Sequence, residues 1–156
     1  MKPMIYIDAD ACPVKAEAEE IAIRHGLSLV LVTNGGIRPS ANPLVRLVIV
    51  GDGPDMADRH IADHVSSGDI VVTSDIPLAA KILGKGGAAI RPNGDLFTPG
   101  NIGSQLATRD LMADLRAADP FLMAKSPKGG GSFSGRDRSN FRNRLEIEIR
   151  KMKLDS

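Results

Sequence analysis

Two aspartates two residues apart, Asp8 and Asp10, cut off a short apolar run and lead into a proline, in Ile5-Tyr6-Ile7-Asp8-Ala9-Asp10-Ala11-Cys12-Pro13. A related pattern recurs as Ile70-Val71-Val72-Thr73-Ser74-Asp75-Ile76-Pro77. Each reads as a buried strand that ends in carboxylate-bearing residues before a helix opens. Set side by side as parallel neighbours, the two strands bring Asp8, Asp10 and Asp75 to one crevice. Crowded carboxylates repel one another unless a cation offsets them. Hard oxygen donors of this kind suit Mg²⁺ or Mn²⁺, which keep several waters and need only a few carboxylates. Such an ion can lower the pKa of a bound water and neutralise charge on a phosphate during displacement. Asp58 joins from a helix, three residues after Asp55, in a first turn whose dipole favours negative charge. Asp8, Asp10, Asp58 and Asp75 are therefore the candidate catalytic residues, and Asp8, Asp10 and Asp75 the candidate metal ligands, with Asp52 and Asp55 in reserve. The plainer reading of Asp75 and Asp55 is a helix N-cap, and of Asp52 a cap or turn. Asp8 and Asp10 resist it, because one cap needs one carboxylate.

Other reactive residues carry less. Cys12 precedes Pro13 at a helix start, where a thiolate can be stabilised. A phosphatase of the Cys-x5-Arg kind needs an arginine where this chain has Ala18, so Cys12 is read as a small packed residue. His60 and His64 lie one helical turn apart, but the acid between them, Asp63, is out of place for a zinc-protease motif. With His25 they are read as surface histidines. Gly129-Gly130-Gly131-Ser132 lacks the preceding strand and the Gly-Lys-Ser/Thr ending of a phosphate loop. Further on, Lys128, Arg136, Arg138, Arg142 and Arg144, with Phe133 and Phe141 interleaved, could track a nucleic-acid backbone and stack its bases. A solvated loop and helix face is the plainer alternative.

The elements that must position the acids alternate along the chain. Strands are expected at residues 4–7, 27–32, 47–50, 70–73 and 88–90. Helices are expected at 13–25, 55–66, 77–83 and 101–117, the first carrying Val14, Ala18, Ile21 and Ala22 on one stripe and stopped by Gly26. Asn93-Gly94-Asp95 reads as a turn. Residues 124–140 read as a flexible segment. Phe141, Leu145, Ile149 and Met152 then fall at helical spacing, although residues 145–149 also alternate as a strand would. Short strands that are apolar throughout mark a parallel sheet covered on both faces. The expected fold is an α/β, three-layer, doubly wound and mainly parallel sheet, whose ligands bind beyond the carboxyl ends of the strands.

At 156 residues the chain can enclose a sizeable core, and its 42% apolar and 25% charged residues are ordinary for a globular protein. A single cysteine, no apolar run of membrane-spanning length and no signal-peptide pattern place it in the cytoplasm, away from membranes. Charge is uneven under a net +1: residues 1–123 hold 11 Lys/Arg against 15 Asp/Glu, and residues 124–156 hold 9 against 4. The division expected is an α/β domain over 1–123 and a basic Gly/Ser-rich segment with a C-terminal helix over 124–156.

Several blocks, in order, resemble the YaiI/YqxD family of bacterial proteins. They are Ile7-Asp8-Ala9-Asp10-Ala11-Cys12-Pro13-Val14-Lys15; Asp55-Met56-Ala57-Asp58; Gly68-Asp69-Ile70-Val71-Val72-Thr73-Ser74-Asp75-Ile76-Pro77-Leu78-Ala79; Arg109-Asp110-Leu111-Met112; and Gly131-Ser132-Phe133-Ser134-Gly135-Arg136-Asp137-Arg138 with Phe141. The resemblance implies a PIN-like domain, similar to metal-dependent nucleases with acids at the ends of parallel strands. It matches Asp8 to the acid ending the first strand, Asp58 to a mid-chain helix acid and Asp75 to the acid of a Thr-x-Asp strand end. Asp10 is an extra acid. Where many PIN nucleases have Glu on the helix, this chain has the shorter Asp58.

Three functions follow as expectations. The first is a Mg²⁺- or Mn²⁺-dependent nuclease acting on RNA, with the metal on Asp8, Asp10 and Asp75, Asp58 orienting water and the basic tail on the backbone. The second is a non-catalytic module that binds nucleic acid or a protein partner. The third is a haloacid-dehalogenase-like phosphatase with Asp8 as nucleophile, Asp10 as acid, Thr33 on phosphate, and Asp52 and Asp55 on Mg²⁺. That scheme also needs a lysine between residues 34 and 51, where only Arg38 and Arg46 occur.

Overall fold

The computed structural model describes residues 3–53, 55–118 and 133–155. Six strands form one sheet: β1 (Ile5–Asp8), β2 (Leu29–Thr33), β3 (Val45–Ile49), β4 (Ile70–Val72), β5 (Ala88–Ile90) and β6 (Leu96–Phe97). Among the described residues five helices accompany them: α1 (Lys15–Arg24), α2 (Met56–His64), α3 (Ile76–Gly84), α4 (Ile102–Ala118) and α5 (Gly135–Asp155). A single 3₁₀ turn, Ala9–Ala11, separates β1 from α1.

Strand order is β3-β2-β1-β4-β5-β6, parallel except for the last pair. The chain builds outward from β1 to β3, returns through α2, and builds the other way from β4. The order therefore reverses between β1 and β4, and a crevice opens beyond their carboxyl ends. Register pairs Ile5 with Leu29 on one side and with Ile70 on the other.

Because both faces are covered, alternate strand residues feed two cores. Ile5, Ile7, Leu29, Leu31, Ile70, Val72 and Ile90 pack with Ala18, Ile21 and Ala22 of α1 and with Phe141, Leu145 and Ile149 of α5. Tyr6, Val30, Val32, Val71 and Ala89 pack on the opposite face with Ile61 of α2 and Leu78, Ala79 and Ile82 of α3. Each fully buried aliphatic or aromatic side chain contributes about 1.5–3 kcal/mol. α1 ends as its sequence requires: Gly26, at φ +68, takes the left-handed position. Its N–H bonds the carbonyl of Ile23 while Leu27 N–H reaches Ala22, satisfying two end carbonyls.

Three sequence expectations need correction. A sixth strand, β6, follows the Asn93-Gly94-Asp95 turn and pairs antiparallel with β5. Two residues are too few to show a period, so no strand signal exists there to be read. β3 begins at Val45 rather than Leu47, and pairs Val45 with Leu29. The closing helix starts at Gly135, not Phe141, so residues 135–140 are helical; residues 124–132 lie outside the described residues. Ser134 and Asp137 explain that early start, since each backbone N–H is bonded by the other's side chain, at 3.0 and 3.1 Å. This reciprocal pair is a capping box. Leu145–Ile149 is helical rather than strand, with Phe141, Leu145 and Ile149 buried as their spacing predicts.

Candidate functional site

The acids of the crevice are carried by the ends of β1 and β4, the 3₁₀ turn and the first turn of α2. A cleft of about 240 Å³ is lined by Asp8, Asp10, Asp58 and Asp75 together with Asn34, Val50, Gly51, Gly53 and Ala57. Asp8 ends β1, half-buried, and its Oδ2 accepts a hydrogen bond from the Thr73 hydroxyl at 3.4 Å. Burial raises its carboxyl above the ordinary value; the Thr73 bond works against this, and the charges of Asp10 and Asp75 add to it.

Asp10 faces β2. It accepts from the Thr33 hydroxyl through Oδ1 and from Asn34 N–H at 2.9 Å through Oδ2. Asp75 sits at the N-cap of α3, where Oδ1 accepts from Leu78 N–H at 2.8 Å and its own N–H donates to Thr73 Oγ1 at 3.0 Å. The Thr73 hydroxyl thus ties the two strand ends together. Asp58 reaches in from α2 beside Asp75, to which its protonated carboxyl can donate. Its pKa is pushed up to about 7 by burial, by that bond, and by the charges of Asp75, Asp8 and Asp55.

All four sequence-predicted acids meet at this cleft. Asp52 and Asp55 are exposed and do not line it; Asp55 holds the N-cap position of α2 without a side-chain cap bond. Asn34 lines the cleft too, although nothing in the sequence analysis singles it out as a site residue. Its signal is position, since the Thr33-Asn34 pair ends the strand next to β1. The donor set suits a hard divalent cation in kind, and the Asp8 and Asp58 carboxyls are raised first by burial and then by their acidic neighbours. As they stand, however, no three His, Cys, Asp or Glu side chains among the described residues converge closely enough to hold an ion. The reason is visible in the bonds: both Asp10 oxygens are turned to β2, and one Asp75 oxygen to its helix.

The basic C-terminal residues sit elsewhere. Arg138 donates to Pro13 O at 2.9 Å and to Glu17 at 3.0 Å, and Arg142 to Glu20 at 3.0 Å, so both clamp α5 onto α1. Arg136 is exposed near the start of α5, and Lys128 lies outside the described residues. Cys12 is buried and its thiol is pushed up to about 11, mainly by burial. His60 and His64 stack with ring centres 4.0 Å apart. His25 is not a surface histidine: it is half-buried between α1 and α5, bonded to Glu146 at 2.8 Å. No helix among the described residues is long and apolar enough to cross a membrane.

Fold and cleft together define a doubly wound, three-layer α/β protein with a carboxylate cluster at its switch point. A sequence model of the YaiI/YqxD family, described as uncharacterised, matches residues 6–151, and the chain belongs to that family. It is 59% identical over 147 residues to a UPF0178 protein of Cereibacter sphaeroides strain ATCC 17029, covering 94% of this chain and 88% of the relative. A UPF0178 protein of Ruegeria pomeroyi is 57% identical over 152 residues, covering 97% of each. Among solved structures, a mutant form of Rae1 (YacP) from Bacillus subtilis aligns over 98% of this chain and 99% of that one, with a TM-score of 0.40 and 13% identity. A likeness that loose says nothing about the site.

Proposed function

We propose that this protein is a Mg²⁺- or Mn²⁺-dependent nuclease that acts on RNA. The observation that carries this reading is the meeting of Asp8, Asp10, Asp58 and Asp75, from separate elements, in one cleft at the strand-order reversal. Asp8, Asp10 and Asp75 would hold the ion, by turning oxygens now bonded within the protein. Bound there, it would supply a lowered water pKa and neutralise charge on the phosphodiester. Asp58, beside Asp75 and near Asp8, orients the attacking water by accepting its hydrogen bond. Thr73 ties the Asp8 carboxylate to the Asp75 backbone, which holds the two strand ends together beneath the cleft while the carboxylate oxygens turn.

The test is cleavage of single-stranded RNA by purified protein with Mg²⁺ or Mn²⁺, against the same protein in a chelator. Cleavage is expected only with the ion and at background in an Asp8→Asn/Asp75→Asn double variant. Asn still caps α3, so loss of fold does not confuse the result. Equal activity in the double variant would refute the proposal.

The non-catalytic reading draws on a different observation, that the carboxylates are engaged as caps and turn ligands. It predicts no Mn²⁺ binding in calorimetry together with salt-sensitive RNA binding. Nothing in the cleft favours the phosphatase scheme, whose Asp52 and Asp55 lie outside the lining.

A further inference from the structure

A second hollow lies on the same rim, one strand beyond the acids. It has a volume of about 350 Å³ and is lined by Ile76, Arg91, Ser104, Gln105, Thr108 and Arg109. Ile76 follows Asp75 in the chain, and Arg91 follows the last residue of β5. β5 is the direct neighbour of β4, and Thr73 N–H bonds the Ile90 carbonyl at 3.0 Å. Ser104, Gln105, Thr108 and Arg109 lie on one face of the N-terminal half of α4, at helical spacing. Two arginines, two hydroxyl-bearing residues and an amide thus line the hollow beside the carboxylate cleft, over a surface that is mostly apolar.

Arg91 is held in place. Its guanidinium stacks over the Phe97 ring at 4.7 Å and donates to Gln105 Oε1 at 2.7 Å. Gln105 is held in turn by its own bond to Asn101 Oδ1, at 2.9 Å. None of the ion pairs of the described residues includes Arg91. Arg91 and Gln105 also line an adjoining hollow that holds Asp95, whose carboxylate accepts from Asn93 at 3.2 Å. Arg109 is half-exposed and, among the described residues, is ion-paired with its neighbour Asp110 at 3.5 Å, a contact of small worth in water. An arginine whose plane is fixed and whose charge is not paired with a carboxylate among the described residues is suited to a phosphate. The contrast with α5 is direct, because Arg138 and Arg142 already neutralise Glu17 and Glu20.

We infer that the hollow between α3 and α4 binds the backbone phosphates of a single-stranded RNA, with Arg91 and Arg109 as its phosphate ligands. This rests on the nuclease reading for its ligand and moves the main backbone contact from the C-terminal helix to the β5–α4 side. Because β5 is next to β4 in the sheet, the hollow and the carboxylate cleft lie side by side on one rim, so that one RNA strand can meet both.

The experiment measures binding of a short fluorescein-labelled oligouridylate by anisotropy, in EDTA, across a series of KCl concentrations. Each lost phosphate contact on a single strand lowers the log-log salt slope by about 0.7, so Arg91→Ala/Arg109→Ala should lose about 1.4 in slope and bind about 25-fold more weakly at roughly 0.1 M salt. Arg91 also packs on Phe97, so Arg109→Glu on the exposed face of α4 serves as a second variant and should lower the slope by at least about 0.7. Wild-type affinity and slope in both folded variants overturns the inference, as does failure of the unaltered protein to bind the oligomer. RNA cleavage that depends on Asp8 and Asp75, alongside unchanged binding in the arginine variants, overturns the hollow and leaves the nuclease standing. Reduced slope in a protein that cleaves nothing supports the hollow and overturns the nuclease.

Discussion

Replacing Asp58 by Asn tests the crowding of the cleft without relying on any activity. The unfolded chain ionises this carboxyl near 3.8, whereas the folded protein without metal holds it up to about 7. Between those values the native state keeps a proton that the unfolded chain has released. Stability therefore falls as pH rises through the window, and the whole penalty is present above about pH 7. A gap of about three pH units between folded and unfolded chains corresponds to about 4 kcal/mol, at roughly 1.36 kcal/mol for each, before allowing for solvent. Asp58 is only half-buried and water screens it, so the retained penalty is on the order of 1–2 kcal/mol. Asn removes the charge while preserving a donor toward Asp75. For a chain of this size each kcal/mol moves Tm by about 2–4 °C, so Asp58→Asn should melt about 2–8 °C above the unaltered protein at about pH 8 in EDTA. Below about pH 4, where both states carry the proton, the two curves should meet. Thermal melts by circular dichroism across that range decide it. Parallel curves at a constant offset would show that neither burial nor the neighbouring carboxylates raise Asp58, and the reasoning would be refuted.

Phe141→Ala should destabilise the protein by about 3–5 kcal/mol in urea unfolding, because the ring is wholly buried where α5 joins the core. Ser134→Ala should cost about 0.5–2 kcal/mol in the same assay, by removing half of the capping box that starts α5. Cys12 should resist a thiol reagent at about pH 8 in the native protein and react promptly in denaturant, since its buried thiol titrates near 11; rapid native labelling would contradict that burial.

The parts of this protein that can be read in the sequence are those with a local period or a local break. Strands β1, β2, β4 and β5 are apolar on both faces because both faces are covered, and an uninterrupted run of Ile, Val and Leu says so directly. The stripe Ala18, Ile21, Ala22 is legible for the same reason, and Asp8, Asp10 and Asp75 stand out because a carboxylate at the end of such a run has no role in the core. β3 is harder, since at the sheet edge its side chains are only partly covered and Arg46 interrupts the run. Residues 135–140 read as loop from their Gly, Ser and Arg content, although the Ser134-x-x-Asp137 box that makes them helical spans the start of that stretch.

What sequence cannot show is which basic residues are free to meet a phosphate. In the chain, Arg138 and Arg142 belong to a conspicuous cluster, while Arg91 and Arg109 are isolated among unremarkable neighbours. Folding reverses their standing. α5 lies against α1, whose Glu17 and Glu20 face it across more than a hundred positions of sequence, so the conspicuous arginines act as clamps. Arg91 and Arg109 are brought together by strand order, which places the end of β5 next to Asp75 and lays α4 along α3. Clustering along a chain measures composition, but availability of charge is set by what the fold places opposite it. The acids and the arginines therefore share one rim because β1, β4 and β5 are consecutive in the sheet, and the assignment of either group constrains the other.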